Sequence, residues 1–505
     1  MNIEVSSVKA TAPTTLFQGY NSVLGQGLST AVQGKSATTG ASSEVICSVS
    51  TTIEELAKSL SIDQSLSVGF GPVGGADEKM EFMASLKVTT YSVSVTVYAR
   101  HGTGGTSFTD VSFEQGISIP TDDASANQFV RAYGDSFVSS VQTGGEYMAV
   151  YTFYSQTREE QASLVTSLKA NGIFDGVSVG GSLQTAMTNF LKVTTVNYAF
   201  RQKVTGLLNP ALPLPSDFVA FAVKFPSIPI DAPVVTSISS TGYEAVPNAG
   251  NAFDKVSANR NYFTGGSIDS GLTGSLTTIT QALNQMNWIS NIYNFYGGFS
   301  DQTLITNTST ATSDINAIKT QMSAFGTAAA GNFPALNLPS LKNGTPTLKF
   351  NVQTSSYWGG DGGSPFDDID ISTYISRKTR VSAIGLRTGN RTDQLRTSYI
   401  DDTGQFSTKT HGGGGGSDRG TLQILEGQFI TRISGRSGNR LDQVQFQISD
   451  GRGIGGGGGG GGGGSAFDWS PPSGSFVMGF SGRSGNEVDR LQVYYGKFKP
   501  ASWII

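Results

Sequence analysis

Three copies of one short pattern constrain this chain more than any other feature. Gly389, Gly438 and Gly485 each open the string Gly-Asn-x-x-Asp, which closes at Asp393, Asp442 and Asp489. The copies stand 49 and then 47 residues apart. An alternating run follows each one, clearest in Val444, Phe446 and Ile448 and again in Leu491, Val493 and Tyr495. Every copy therefore reads as a turn feeding a strand. A unit of about 48 residues is too small to bury its own apolar face, so neighbouring units must share a core. The expected result is a three-fold all-β prism or small barrel.

Glycine marks the extent of this module. Residues 351–505 hold 33 of the 65 glycines in the 505-residue chain. Three glycine loops interleave with the repeats: Gly359 to Gly363, Gly412 to Gly416, and the ten-residue run Gly455 to Gly464. The change in composition places the boundary after the stretch Phe333 to Pro346, giving a first module over residues 1–344 and a second over 345–505.

The first module carries a different repeat. Thr52 with Glu55, and Thr157 with Glu160, are capping boxes, in which Thr accepts from the third amide and Glu reaches back. Ile53, Leu56 and Leu60 follow at helical spacing in one copy, Leu164 and Leu168 in the other. Each copy then alternates, Ser65 to Phe70 and Gly176 to Gly180, and ends at the pentapeptide Leu-Lys-Val-Thr-Thr, Leu86 to Thr90 and Leu191 to Thr195. From capping Thr to pentapeptide Leu is 34 residues both times. Strands are expected over Tyr91 to Val97, Glu146 to Tyr154 and Val196 to Val204, so two matched segments interrupt one sheet. Their ends favour helix and their middles favour strand, as in a segment able to refold. A membrane hairpin needs two arms of about 9–11 residues, and residues 52–90 and 157–195 each exceed that. The competing reading is a duplicated helical cover over a sheet.

Composition excludes several functions. Charged residues make up 14% of the chain, net charge is −4, and no basic block is present, which argues against nucleic acid as a partner. One cysteine, Cys47, rules out an intrachain disulfide and a cysteine zinc site. His101 and His411, each beside glycine, read as exposed loop residues, which leaves the chain poor in acid–base side chains. Gly34, Lys35 and Ser36 resemble the tail of a phosphate loop, but Ser29 stands where that pattern needs glycine. Asp361, Asp367, Asp368 and Asp370 lack the spacing of a calcium loop. No metal, cofactor or catalysis is expected. Met1 to Val5 lacks the basic and apolar regions of a secretory signal. The expectation is a soluble monomer that leaves its cell without a signal peptide and then joins a target membrane. Leu276 to Tyr296 reads as a packing helix.

Between the matched segments stand Tyr133, Gly134 and Phe137, then Gly144 and Gly145. This spacing resembles the signature of the membrane-attack-complex/perforin family, with Asp135 and Ser136 departing from its Thr/Ser and His. The resemblance implies a bent antiparallel sheet flanked by two helical clusters that unfurl into membrane hairpins. The paired glycines suit a bend or close approach in a strand.

The second module resembles the jacalin-related lectins in Trp358 to Asp368, in His411 with Gly412 and Gly413, and in all three Gly-x-x-x-Asp strings. That resemblance implies a β-prism in which each string and a neighbouring glycine loop hold one sugar. Gly360 would serve Asp489 and Gly485, Gly413 would serve Asp393 and Gly389, and the poly-glycine run would serve Asp442 and Gly438. A carboxylate accepts from vicinal hydroxyls while unshielded glycine amides donate to sugar oxygens; the plainer reading has these aspartates capping tight turns. The overall expectation is an α+β module followed by an all-β prism. Its function is that of a glycan-targeted pore former, which docks on cell-surface glycans, assembles as a homo-oligomer and inserts into target-membrane lipid. The alternative is a non-lytic glycan-binding or adhesion protein.

Overall fold

The computed structural model describes residues 15–62, 78–265, 270–375, 377–402, 404–457 and 464–504. Two long strands organise the first module. β5 (Ser92–Phe113) and β6 (Ser136–Tyr154) pair antiparallel from Ser92↔Tyr154 to Ser107↔Ser140. Each exchanges its outer partner partway along. β4 (Ser43–Ser50) pairs with one half of β5 and β3 (Val32–Thr39) with the other. β7 (Tyr198–Thr205) and β8 (Val234–Gly242) divide β6 in the same way. β1 (Gly19–Asn21) and β2 (Gln26–Leu28) continue beyond the far end of β6.

The exchange falls on one line of glycines. The β5–β6 register slips between Gly102 and Gly104, opposite Gly144. A Cβ on Gly144 would sit 2.2 Å from the His101 carbonyl oxygen, and one on Gly206 would sit 2.4 Å from Gly145 Cα. Only glycine permits so close a backbone approach. The Tyr133–Phe137 segment has a separate task. Asp135 is fully buried and accepts from the Ser22 amide at 2.7 Å and the Ser22 hydroxyl at 2.6 Å, with Arg260 at 3.4 Å. It clasps the N-terminal strands to the sheet, which is a structural use for the residue that departs from the perforin pattern.

Helices cover both faces of the β4–β5–β6–β7 half. α1 (Ile53–Ser59) and α2 (Glu78–Ser85) set Ile53, Leu56, Leu60, Phe82 and Met83 against Tyr98, Met148 and Val150. α4 (Arg158–Ala170), α5 (Gly181–Val193) and α6 (Phe218–Lys224) cover the other face, where Leu164, Leu168, Met187 and Phe190 meet Val93, Val95, Tyr151 and Phe153. Alternate residues of a strand point to opposite faces, so the two matched segments lie on opposite sides of one sheet. Thr52 caps α1 in a full box with Glu55. Thr157 caps α4, but Glu160 reaches one residue further and accepts from the Gln156 amide at 2.7 Å. The alternating stretch Ser65 to Phe70 lies outside the described residues, whereas Val177 and Val179 link α4 to α5 and pack against the core. α3 (Asp123–Tyr133) connects β5 to β6.

The second module is a prism of three sheets. Its inner hairpins are β12 (Arg380–Thr388) with β13 (Thr392–Ile400), β16 (Ile430–Ser437) with β17 (Leu441–Ile448), and β20 (Ser475–Ser484) with β21 (Val488–Ile504). The outer strands are β14 (Phe406–Gly412) and β15 (Ser417–Gln423), β18 (Gly453–Gly457) and β19 (Ser465–Trp469), and β10 (Trp358–Gly359) and β11 (Ser364–Asp367). β9 (Thr345–Thr354) adds to β21. Ile384, Leu386, Ile433, Phe446, Phe480 and Leu491 are all buried in one core shared by the three hairpins. Neighbouring sheets lock at their edges, Trp358 stacking on Phe467 at 4.4 Å and Phe366 on His411 at 3.6 Å.

A shared core joins the modules. α8 (Gly271–Phe295) packs against β9 and α9 (Gln302–Ala328) against β21, α7 (Ala252–Thr264) backs α8, and α10 (Ile371–Tyr374) closes the contact. Tyr296, just past α8, stacks on Phe476 at 4.2 Å and donates to the Thr379 carbonyl at 2.8 Å. α8 also holds the first matched segment, since Asn284 donates to the Val88 carbonyl at 3.0 Å. Arg377 of the prism holds the second by donating to the Thr194 carbonyl at 3.0 Å. Residues 270–330, whose periodicity indicated only packing, are thus the strut between prism and sheet.

One buried ion pair fastens α2 to the sheet beside the glycine line. Lys79 Nζ lies 2.7 Å from Glu146 Oε1, with both side chains less than one-tenth exposed, and the Tyr98 hydroxyl donates to the same oxygen at 2.5 Å. Burial pushes the Glu146 carboxyl above the ordinary carboxylate range, against the opposing pull of Lys79. A carboxyl so raised favours the fold at low pH and loses that contribution as pH rises through its folded-state value; at neutral pH and above its charge depends on Lys79. Lys79→Met should therefore cost about 3–5 kcal/mol at pH 8 and clearly less at pH 5, where Glu146 can take up a proton. Urea melts at the two pH values test this, and an equal loss at both would contradict it.

Candidate carbohydrate site

Three-fold closure brings the Gly-x-x-x-Asp strings to one end of the prism, where each forms the turn of an inner hairpin. The turns are built alike. The amides of Gly389, Gly438 and Gly485 donate to the carbonyls of Arg391, Arg440 and Glu487, each at 3.0 Å. Each turn faces the last glycine of a loop: an added Cβ would lie 3.4 Å from Gly416 Cα at Gly389, 3.3 Å from Gly464 Cα at Gly438, and 3.6 Å from Gly363 Cα at Gly485.

The loops lie over the carboxylates. Cβ atoms on Gly362 and Gly363 would sit 2.4 and 2.6 Å from the Asp489 oxygens, and on Gly415 and Gly416 each would sit 2.4 Å from an Asp393 oxygen. A Cβ on Gly464 would lie 2.6 Å from Asp442 Oδ2, although residues 458–463 of that loop are outside the described residues. Any other residue would fill the space above the carboxylate. Gly360 donates its amide to the Asp489 carbonyl at 2.9 Å, and Gly413 donates to the Asp393 carbonyl at 3.0 Å. Each loop also rests on a second repeat. Gly413 is 3.2 Å from the Asn486 carbonyl, while a Cβ on Gly360 would meet the Asn439 carbonyl oxygen at 2.4 Å. Every site is therefore made by two repeats.

A set of arginines, which the turn-and-loop pattern alone does not single out, completes the geometry. Arg387 donates to the Gly415 and Gly416 carbonyls at 3.0 and 2.9 Å, and Arg483 to the Gly362 and Gly363 carbonyls at 3.0 and 2.7 Å. Arg436 donates to the Gly464 carbonyl at 2.9 Å. These guanidinium groups fix loops that have no side chains of their own to hold them. The signal was present: an arginine stands two residues before the turn glycine in all three repeats.

The turn residue after each Asn adds charge. Glu487 accepts from Arg391 at 3.1 Å and from Arg440 at 3.0 Å. Arg440 also lies 3.1 Å from Asp489 Oδ1, and Arg391 lies 3.7 Å from Asp442 Oδ1. Asp393 Oδ2 is buried with no hydrogen-bond partner.

The remaining acidic residues of this region serve separate partners. Asp361 pairs with Arg490, Asp367 accepts from Tyr494 at 2.8 Å, and Asp368 pairs with His411 at 2.7 Å. Neither histidine is an exposed loop residue. His411 sits in β14 between Asp368 and the Phe366 ring, and His101 sits in β5 with Nδ1 2.8 Å from the Ile228 carbonyl. Both His-Gly dipeptides read as loops, but both belong to paired strands. Gly34, Lys35 and Ser36 likewise lie within β3.

Comparison with known proteins gives the end of the chain a family. Residues 355–494 match the jacalin-like lectin domain. Among solved structures, the Malaysian banana lectin is 21% identical, covering 30% of this chain and 99% of its own at a TM-score of 0.25. The mannose-binding jacalin-related lectin of Ananas comosus is 24% identical over 28% of this chain and 96% of its own, with a TM-score of 0.24. The Calystegia sepium agglutinin is 28% identical over 29% of this chain and 97% of its own, also with a TM-score of 0.24. A search of curated proteins finds no match. By the family match, and by three sheets closed around one core, residues 355–494 form a jacalin-like lectin domain.

Proposed function

We propose that this protein is a glycan-targeted pore former, in which the prism docks on cell-surface carbohydrate and the first module inserts β-hairpins into the target membrane. The observation that carries the reading is where the two matched segments leave the sheet. Residues 51–91 join β4 to β5, and residues 155–197 join β6 to β7. Ser50 lies opposite Ser94, Ser92 opposite Tyr154, and Tyr198 opposite Phe153, so all four strand ends sit at one end of the sheet. If both segments converted to hairpins, β4, β5, β6 and β7 would each run on past that end in their existing order, with no crossing. Their near-equal lengths suit strands that must reach the same depth.

Lipid imposes the rest. No helix among the described residues is long and apolar enough to cross a membrane, so entry would have to be by strands, and strands in lipid must close into a barrel. One chain offers four strands. β4 and β7 each pair on one side only among the described residues, which leaves edges for further copies of the chain in a homo-oligomer. Docking on glycans would concentrate those copies, and several prisms engaged at once would bind by avidity. In this reading the chain acts without catalysis or a cofactor and is soluble until it docks.

Dye-loaded liposomes carrying glycolipids extracted from target cells test the reading. Leakage should appear with the glycolipid and be absent from bare phosphatidylcholine vesicles. Sugar binding without leakage at any pH or after protease treatment would leave a non-lytic adhesion protein as the better description. Changing Asp393, Asp442 and Asp489 together to Ala should remove sugar binding and glycolipid-dependent leakage while the first module still unfolds cooperatively; persistent binding would refute the assigned sites. Arg387→Ala, which frees the 412–416 loop, should weaken sugar binding by about tenfold, the scale of one charge-assisted hydrogen bond. Surface plasmon resonance on immobilised glycan measures it.

A further inference from the structure

The three sites differ at one turn position, and we propose that its occupant in the third repeat, Glu487, makes the Asp393 site the one that takes sugar. This assignment rests on the glycan reading above. Around the prism, each turn reaches the carboxylate of the next repeat. Arg391, in the first turn, lies 3.7 Å from Asp442 in the second repeat. Arg440, in the second turn, lies 3.1 Å from Asp489 in the third. The third turn closes the cycle on the first repeat, where Asn486 accepts from the Gly413 amide of the Asp393 loop. Its side chain there is an acid.

Two carboxylates repel, so Glu487 pairs with Arg391 and Arg440 instead, at 3.1 and 3.0 Å. Asp393 is consequently the one of the three aspartates with no guanidinium among the described residues, and its Oδ2 stays buried and unpartnered. The carboxylate is half-buried, and no hydrogen bond among the described residues reaches its other oxygen, Oδ1, which leaves that oxygen to accept from a sugar hydroxyl. Asp489 is in the opposite condition. Its side chain is 2% exposed and already paired with Arg440, and Asp361 and Arg490 strap the loop above it. In the Asp393 site the positions of that strap are Gly414 and Gln394, and nothing lies within 4 Å of where a Cβ on Gly414 would be. One site is open and its carboxylate needs donors; another is closed by its own cations.

The test uses the full chain and immobilised mannose, galactose and N-acetylglucosamine oligosaccharides, with circular dichroism melts to verify folding. Asp393→Ala should weaken binding by at least about tenfold, and by clearly more than Asp489→Ala does. Glu487→Arg, which supplies the missing guanidinium beside Asp393, should weaken binding as much as Asp393→Ala. Glu487→Gln removes the same pairing with Arg391 and Arg440 but brings no cation, and should bind like the unchanged protein. Loss of binding in Asp489→Ala but not in Asp393→Ala overturns the assignment, as does equal loss in Glu487→Gln and Glu487→Arg. If the unchanged protein binds none of these sugars, the glycan reading itself fails, and this assignment with it.

Discussion

The pairing of β5 with β6 is the constraint on which the first module depends. Their ladder runs through a register slip at Gly102 and Gly104, and every other strand of the sheet except β2, which pairs with β1, attaches to one of these two. Because side chains alternate across the pair, Tyr98 and Met148 face one helical cover while Val97 and Tyr147 face the other. The same pairing sets the ends of β4, β5, β6 and β7 at one level. Both matched segments therefore begin and finish where a longer sheet would have to grow.

Holding such segments in helical form needs anchors, and they are of two kinds. Apolar burial is the larger contribution, as Leu56, Leu60, Leu164 and Leu168 are all nearly inaccessible. Single polar contacts then fix position: Lys79 to Glu146 within the sheet, Asn284 to the Val88 carbonyl, and Arg377 to the Thr194 carbonyl. Val88 and Thr194 belong to the two copies of one pentapeptide, but their partners come from different parts of the chain. The first is held by the strut helix, the second by the prism.

The prism follows a simpler logic, with consequences that go beyond its symmetry. Glycine loops without side chains cannot hold themselves in place, and Arg387, Arg436 and Arg483 hold them by their carbonyl groups. That leaves the last glycines of each loop directly over an aspartate carboxylate. Symmetry is then broken at two places: two arginines and one glutamate occupy equivalent turn positions, and the Asp361–Arg490 pair straps the loop over Asp489 where the Asp393 site has Gly414 and Gln394.

Much of this could be read in the sequence. The strings ending at Asp393, Asp442 and Asp489 repeat at nearly equal spacing, and the apolar alternation after them requires a shared core, so a three-fold all-β module was legible without coordinates. The capping residues Thr52 and Thr157 and the equal 34-residue spacing likewise announced a duplicated helical segment. Local pattern carries such features because caps, turns and strand faces depend on residues close in sequence. Other features needed the tertiary structure. His101 and His411 sit beside glycines that suggested loops, yet long-range strand pairing buries them partway. Lys79 meets Glu146, and Arg440 meets Asp489, because folding closes distances that no local pattern encodes. Sequence determined that three alike sites would exist; only the cyclic packing of the repeats decided which carboxylate each turn residue reaches, since that depends on the geometry of the closed prism.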